Sequence, residues 1–121
     1  WVSYPEIVRL CQGVPVYVDS AFESEFTPDL AAVSAAITSK TKAIIINSPN
    51  NPSSQVLSQA WIEACMQMLT EKASQAYIVT DDIYGRLLFD DQSFYSAAMN
   101  THFPAEKIVL INGLSKTYST T

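Results

Sequence analysis

Along the chain, blocks with an apolar stripe at helical spacing alternate with short blocks that are apolar throughout, and this alternation predicts the elements. "SYPEIVRLCQ" begins with Ser3 and has Glu6 three residues on, the pattern of a capping box. It predicts a helix from Ser3 to Gln12, with Gly13 as the left-handed stop. "VPVYVD" (14–19) predicts a short strand, and Pro15, which has no N–H for a ladder, confines it to a sheet edge. "TPDLAAVSAAI" predicts a helix capped by Thr27, with Pro28 at the first helical position. "KAIIIN" (42–47) places no polar residue among Ile44, Ile45 and Ile46, as expected of a parallel strand covered on both faces. Ser58 is a cap for "QAWIEACMQMLTEKAS", where Trp61, Ala64, Cys65, Met68 and Leu69 recur at helical spacing. "YIVTDD" (77–82) and "KIVLIN" (107–112) predict two more apolar strands, and residues 90–100 between them predict a loop with one helical turn.

Four strands separated by helices or long crossovers predict an α/β fold, three-layer α/β/α with a mainly parallel sheet. The 121 residues suit a single domain, and 48% hydrophobic against 16% charged residues is enough to bury a core. Seven basic residues against 12 acidic ones, a net charge of -5, argue against nucleic acid or an anionic membrane surface as partner. No apolar run reaches the length of a membrane span, and the opening residues do not read as a signal peptide. Cys11 and Cys65 do not make a disulfide framework, which suits a reducing cytoplasm. His102, the one histidine, leaves little for a multi-histidine metal site or a histidine triad. The abrupt ends, "WVSYPEIV" and "LSKTYSTT", read as those of a piece cut from a longer chain.

Ligands of open parallel sheets bind outside the carboxyl ends of the strands. There the three apolar strands deliver "NSPNNP", "DDIY" and "NGLSK": an amide cluster, a carboxylate with a phenol three residues on, and a lysine. Singly, each has an ordinary explanation. Asn51 before a proline marks a turn, Asp81 or Asp82 can cap the short helix expected after it, and a lysine is most often a solvated charge. Jointly, they place complementary chemistry at one edge of one sheet.

"NSPNNP", "DDIY" and "SKTY", in this order and at these separations, resemble the fold-type I pyridoxal 5'-phosphate (PLP) enzymes. The likeness is greatest to class I/II aminotransferases of the aspartate aminotransferase-like kind, and it spans essentially the whole chain. The resemblance implies that residues 1–121 are a central part of the large, PLP-binding domain, with the small domain absent. It implies PLP as cofactor, amino acid and 2-oxo acid as substrates, and a homodimer or larger assembly. Residue by residue, Lys116 matches the lysine that forms a Schiff base with the cofactor aldehyde, an amine that acts in its neutral form and so calls for a desolvated site. Freed by substrate, it is the base that moves a proton from the substrate α-carbon. Asp81 matches the carboxylate paired with the pyridinium nitrogen, Asn51 and Tyr84 the two donors to the phenolic oxygen, and Trp1 the aromatic stacked on the ring.

The departures from the family pattern carry expectations as well. Ser53 and Ser54 stand where relatives have Thr-Gly, which strains the turn if it needs positive φ. Gly113 stands where many relatives place a phosphate-binding serine, leaving Ser115 as a partial substitute. Related chemistries on the same framework, β-elimination or decarboxylation, and a non-catalytic regulatory module are the rival readings. The resemblance also implies that a strand expected between "VPVYVD" and "AIIIN" is missing, so the "AIIIN" edge is left open to association with another chain.

Overall fold

The computed structural model describes residues 1–120. Three strands, β1 (Ala43–Asn47), β2 (Tyr77–Asp81) and β3 (Ile108–Ile111), form one parallel sheet in the order β1-β2-β3. The register aligns Ile44 with Ile78 and Ile108 at one end, and Asn47 with Asp81 and Ile111 at the other, so the carboxyl ends of all three strands lie side by side. The predicted α/β class with a parallel sheet is what the residues form.

Helices α2 (Leu30–Ala36) and α3 (Gln59–Lys72) pack together, and their buried side chains join the sheet in one core. Val33 and Ile37, from α2 and its end, meet Ile62, Cys65, Met66 and Leu69 of α3 and Ile46 and Ile78 of the sheet. The interior face of α3 is Ile62, Cys65, Met66 and Leu69, so Ile62 and Met66 lie deeper than the expected Trp61, Ala64 and Met68. Trp61 sits at the border because its indole N–H must find an acceptor, and it donates to the Pro28 carbonyl at 2.8 Å. The opposite face of the sheet is not covered on this scale. Ile45, Tyr77, Val109 and Ile111, which share that face by alternation, are each between 37% and 47% exposed. No helix among the described residues is long and apolar enough to cross a membrane.

Several local expectations are corrected. "VPVYVD" forms no strand: residues 13–21 have no regular structure, and Val14, Val16 and Tyr17 are exposed. A strand needs a ladder partner, Pro15 lacks one of the donors, and among the described residues β1 pairs only with β2, so the segment neither joins the sheet nor closes its edge. Helix α1 (Ser3–Leu10) begins one residue earlier than the capping box implies. Val2 is its N-cap, Ser3 lies inside, and Glu6 pairs with Arg9 instead of reaching back. Its left-handed residue is Gln12 (φ 61°), while Gly13 admits the close approach of Val8, whose Cγ1 would stand 2.9 Å from an added Cβ. In α2 the cap is Asp29, which accepts from the Ala32 N–H, and Thr27 accepts from Gln55 instead. Ser58 caps α3 as expected, accepting from the Trp61 N–H at 3.2 Å. The loop over 90–100 contains the one expected helical turn, Ala97–Met99.

Candidate functional site

The turn after β1 is built from its own polar side chains. Asn47, buried at the strand end, donates through Nδ2 to the Asp81 carbonyl at 2.9 Å and so ties β1 to β2 beyond the ladder. Its Oδ1 accepts from the Asn51 N–H (3.2 Å) and the Asn50 side chain (3.4 Å), which folds the turn back on the strand. Buried Ser48 accepts from the Leu57 N–H at 2.9 Å, and the Asn50 N–H donates to the Gln55 carbonyl at 2.9 Å. The Ser48–Pro49 and Asn51–Pro52 peptide bonds are cis. Ser54 has φ 60°, so the position where relatives are expected to carry glycine does require the left-handed region.

This framework holds Asn51 against Tyr84, with the Asn51 Nδ2 donating to the Tyr84 hydroxyl at 3.2 Å. Tyr84 stands in the turn after β2, three residues beyond Asp81. Asp81 ends β2 with little exposed surface. Its Oδ1 accepts from the Ile83 N–H at 3.2 Å, which makes Asp81 the residue that stabilises the following turn; the short helix expected there is not formed. Asp82 serves β2 differently, accepting from the Thr80 hydroxyl at 2.7 Å.

Lys116 lies on the short helix α4 (Leu114–Thr117) after β3, with its Nζ 5.9 Å from the centre of the Tyr84 ring. It is exposed, so the described residues do not supply the desolvated surroundings expected for it. Ser115 is exposed too. Gly113 is extended, and a Cβ there would stand 3.0 Å from Ile83 Cδ1, so a serine at this position would press on Ile83. Trp1 is 55% exposed and packs edge-on against Tyr4 with ring centres 5.3 Å apart. The Trp1 backbone nitrogen lies 3.1 Å from the Asn51 carbonyl oxygen, which places this residue beside the same turn.

The structure thus brings Asn51, Asp81, Tyr84, Lys116 and Trp1 to one end of the sheet and leaves Ser115 at its margin. Two further residues belong there. Asn47 anchors the turn, and its place at the end of an apolar run marked it only as one of several amides. Tyr4 on α1 donates from its hydroxyl to Asp81 Oδ2 at 2.6 Å. Burial first, then the bond to Asp81 and its charge, with a further push from Tyr84, raise the Tyr4 phenol well above the usual tyrosine range. Nothing in "SYPE" signals this bond, because its partner is 77 residues away. A cleft of about 620 Å³ lies on the neighbouring side of the strand ends, lined by Asp82, Arg86, Phe94, Ser96, Met99 and Asn112. It does not include the clustered site residues.

The chemistry of this donor set suits PLP. A carboxylate at the end of β2 can face a protonated ring nitrogen. Asn51 spends one amide hydrogen on Tyr84 and keeps another, while Tyr84 accepts that bond and retains its own proton, so both can donate to one oxygen. A primary amine stands within reach of the Tyr84 ring.

Comparisons with known proteins agree with the fold. The family described as aminotransferase class I and II matches residues 1–121. The chain is 39% identical over 121 residues to an aspartate aminotransferase of Bacillus sp. strain YM-2, covering all of this chain and 30% of that protein. It is 40% identical to a probable aspartate/prephenate aminotransferase of Rickettsia conorii, again over all of this chain and 30% of the relative. An aromatic aminotransferase from Pyrococcus horikoshii superposes with a TM-score of 0.92 at 34% identity, over 100% of this chain and 32% of that structure. The chain therefore spans about 30% of the length of the curated relatives it matches.

Proposed function

The chain belongs to the class I and II aminotransferase family, and we propose that it is part of the PLP-binding domain of an enzyme that transfers an amino group from an amino acid to a 2-oxo acid. The observation that carries this reading is the convergence of Asp81, the Asn51–Tyr84 pair and Lys116 at adjacent carboxyl ends of one parallel sheet. The relatives' names share amino-group transfer and differ in the acids they mention, so the proposal extends to the reaction and to amino acid and 2-oxo acid as substrate classes.

PLP, when bound, supplies an electron-withdrawing ring that accepts the electron pair left as the substrate α-carbon loses its proton. Asp81 would hold the ring nitrogen, its negative charge favouring the protonated ring. Asn51 and Tyr84 would hold the phenolic oxygen, each with a hydrogen to give. Trp1 would cover one face of the ring, and Ser115 would contribute to phosphate binding. Lys116 would hold the cofactor covalently and, once released, carry the proton at the substrate α-carbon. The Tyr84 ring stands beside the Lys116 amine.

Residues 1–121 would form only part of the large domain, a reading supported by the half-exposed apolar face of the sheet, which offers further elements a surface to cover. The working protein would be a cytoplasmic homodimer or larger assembly. A transamination assay on the whole, PLP-loaded protein tests the proposal: amino-group exchange should be lost in Lys116→Ala while the fold is retained. Undiminished exchange in that variant would overturn it. The 121-residue chain by itself should hold PLP weakly, or not at all, and should not transaminate.

A further inference from the structure

Asp81 has two partners on its carboxylate, and they differ in strength. The Ile83 N–H reaches Oδ1 at 3.2 Å, whereas the Tyr4 hydroxyl reaches Oδ2 at 2.6 Å, the length of a charge-assisted O–H···O⁻ bond. Tyr4 therefore does most to fix the plane of the carboxylate. The phenol is itself held by the edge-on contact with Trp1, and the backbone of Asp81 is held by Asn47. The charged or titratable side chains around this point are Tyr4 on α1, Tyr84 in the turn after β2, and Lys116 on α4 beside the Tyr84 ring. Asn47 at the end of β1 contributes only neutral donors and acceptors.

We propose that Tyr4 is a positioning residue for the cofactor ring nitrogen: it orients Asp81 and, by donating to Oδ2, stabilises the carboxylate anion, so that a proton shared between Asp81 and the ring stays on nitrogen. This rests on the reading of Asp81 as the partner of that nitrogen. The competing explanation is mechanical. Helix α1 has no buried residue, and the Tyr4–Asp81 bond could serve only to tie it to the sheet.

A double-mutant cycle in the whole, PLP-loaded enzyme separates the two. Tyr4→Phe should lower kcat about tenfold with KM little changed, the loss of one hydrogen bond to a charged group. It should also shift the pH titration of the bound cofactor's absorbance, beyond whatever fall in Tm follows from Asp81 Oδ2 losing its donor. In an Asp81→Asn background the same Tyr4→Phe change should leave kcat and the titration where they were. A Tyr4→Phe variant that alters Tm alone, or that has equal effects on kcat and the titration in both backgrounds, would overturn the proposal. If Asp81→Asn itself changes neither kcat nor the cofactor's absorbance, the assignment of Asp81 falls and this inference falls with it.

Discussion

The turns that follow β1 and β3 leave the same edge of the sheet and are held in opposite ways. After β1, Asn47, Ser48, Asn50 and Ser53 bond one another and the backbone, and two of the anchors, Asn47 and Ser48, are buried. After β3, Asn112 accepts from the N–H of the next residue, and Lys116 stands exposed with the Tyr84 ring as its aromatic neighbour. The first turn presents a donor, Asn51, in a place fixed by local sequence. The second presents an amine whose rotamer is free to be set by whatever covers it. On the proposed reading, the groups that would recognise the cofactor are preorganised in the chain itself, and the lysine that would react is only delivered to the same end of the sheet.

This contrast predicts where substitutions will hurt, and how. The largest effect is expected between neighbouring aspartates in the whole enzyme. Asp81→Ala should depress kcat by orders of magnitude with a minor change in melting, whereas Asp82→Ala should leave kcat nearly intact. The Asp82 change should cost about 1–2 kcal/mol in a denaturation experiment, because the Thr80 hydroxyl loses its acceptor. The reverse ranking would mean that the wrong carboxylate has been assigned.

Next in size is the turn after β1. Asn47→Ala removes a bond to the Asp81 carbonyl and the acceptor for the Asn51 N–H, and should cost about 2 kcal/mol in urea unfolding. Lys116→Ala, on the other turn, should leave the urea midpoint unchanged. Equal midpoints for the two variants would erase the distinction between a built turn and a merely placed one.

Tyr4 adds a pH dependence. Its phenol is raised above the ordinary value of 10.0 in the folded chain, so the folded state holds this proton more tightly than the unfolded state. That contribution is fully present below pH 10 and is lost as the pH rises above it toward the folded value. Melting curves between pH 9 and pH 11 should therefore fall less steeply for Tyr4→Phe than for the unsubstituted chain. Parallel slopes would show that Tyr4 is not held in this way. The smallest effect concerns Ser54, whose φ of 60° a glycine adopts without strain. Ser54→Gly should stabilise the turn by about 0.5–1 kcal/mol, the relief of the left-handed penalty less the entropy glycine adds to the unfolded chain. A loss of stability would show that the serine side chain contributes there.

The apolar runs at 44–46, 77–79 and 108–111 were legible as strands because nothing polar interrupts them, and their carboxyl ends pointed to the candidate site because parallel strands deliver their turns together. Ser58 was legible as a cap because a hydroxyl stands directly before a long helical stripe. "VPVYVD" misled because β-branched residues favour an extended chain, while a strand exists only with a ladder partner. Thr27 and Asp29 are both good caps two residues apart, and the choice between them fell to Gln55, which donates to the threonine. Tyr4 was hidden for a different reason. It lies within a segment that reads as a helix start, and its role comes from a contact across 77 residues that no local pattern records.

Reductive trapping tests the central claim most directly. The whole protein is loaded with PLP, reduced with borohydride so that the bond between lysine and cofactor becomes permanent, digested, and mapped by mass spectrometry. The label is expected on Lys116, the lysine delivered after β3 beside the Tyr84 ring. Label confined to Lys40, Lys42, Lys72 or Lys107 would contradict it.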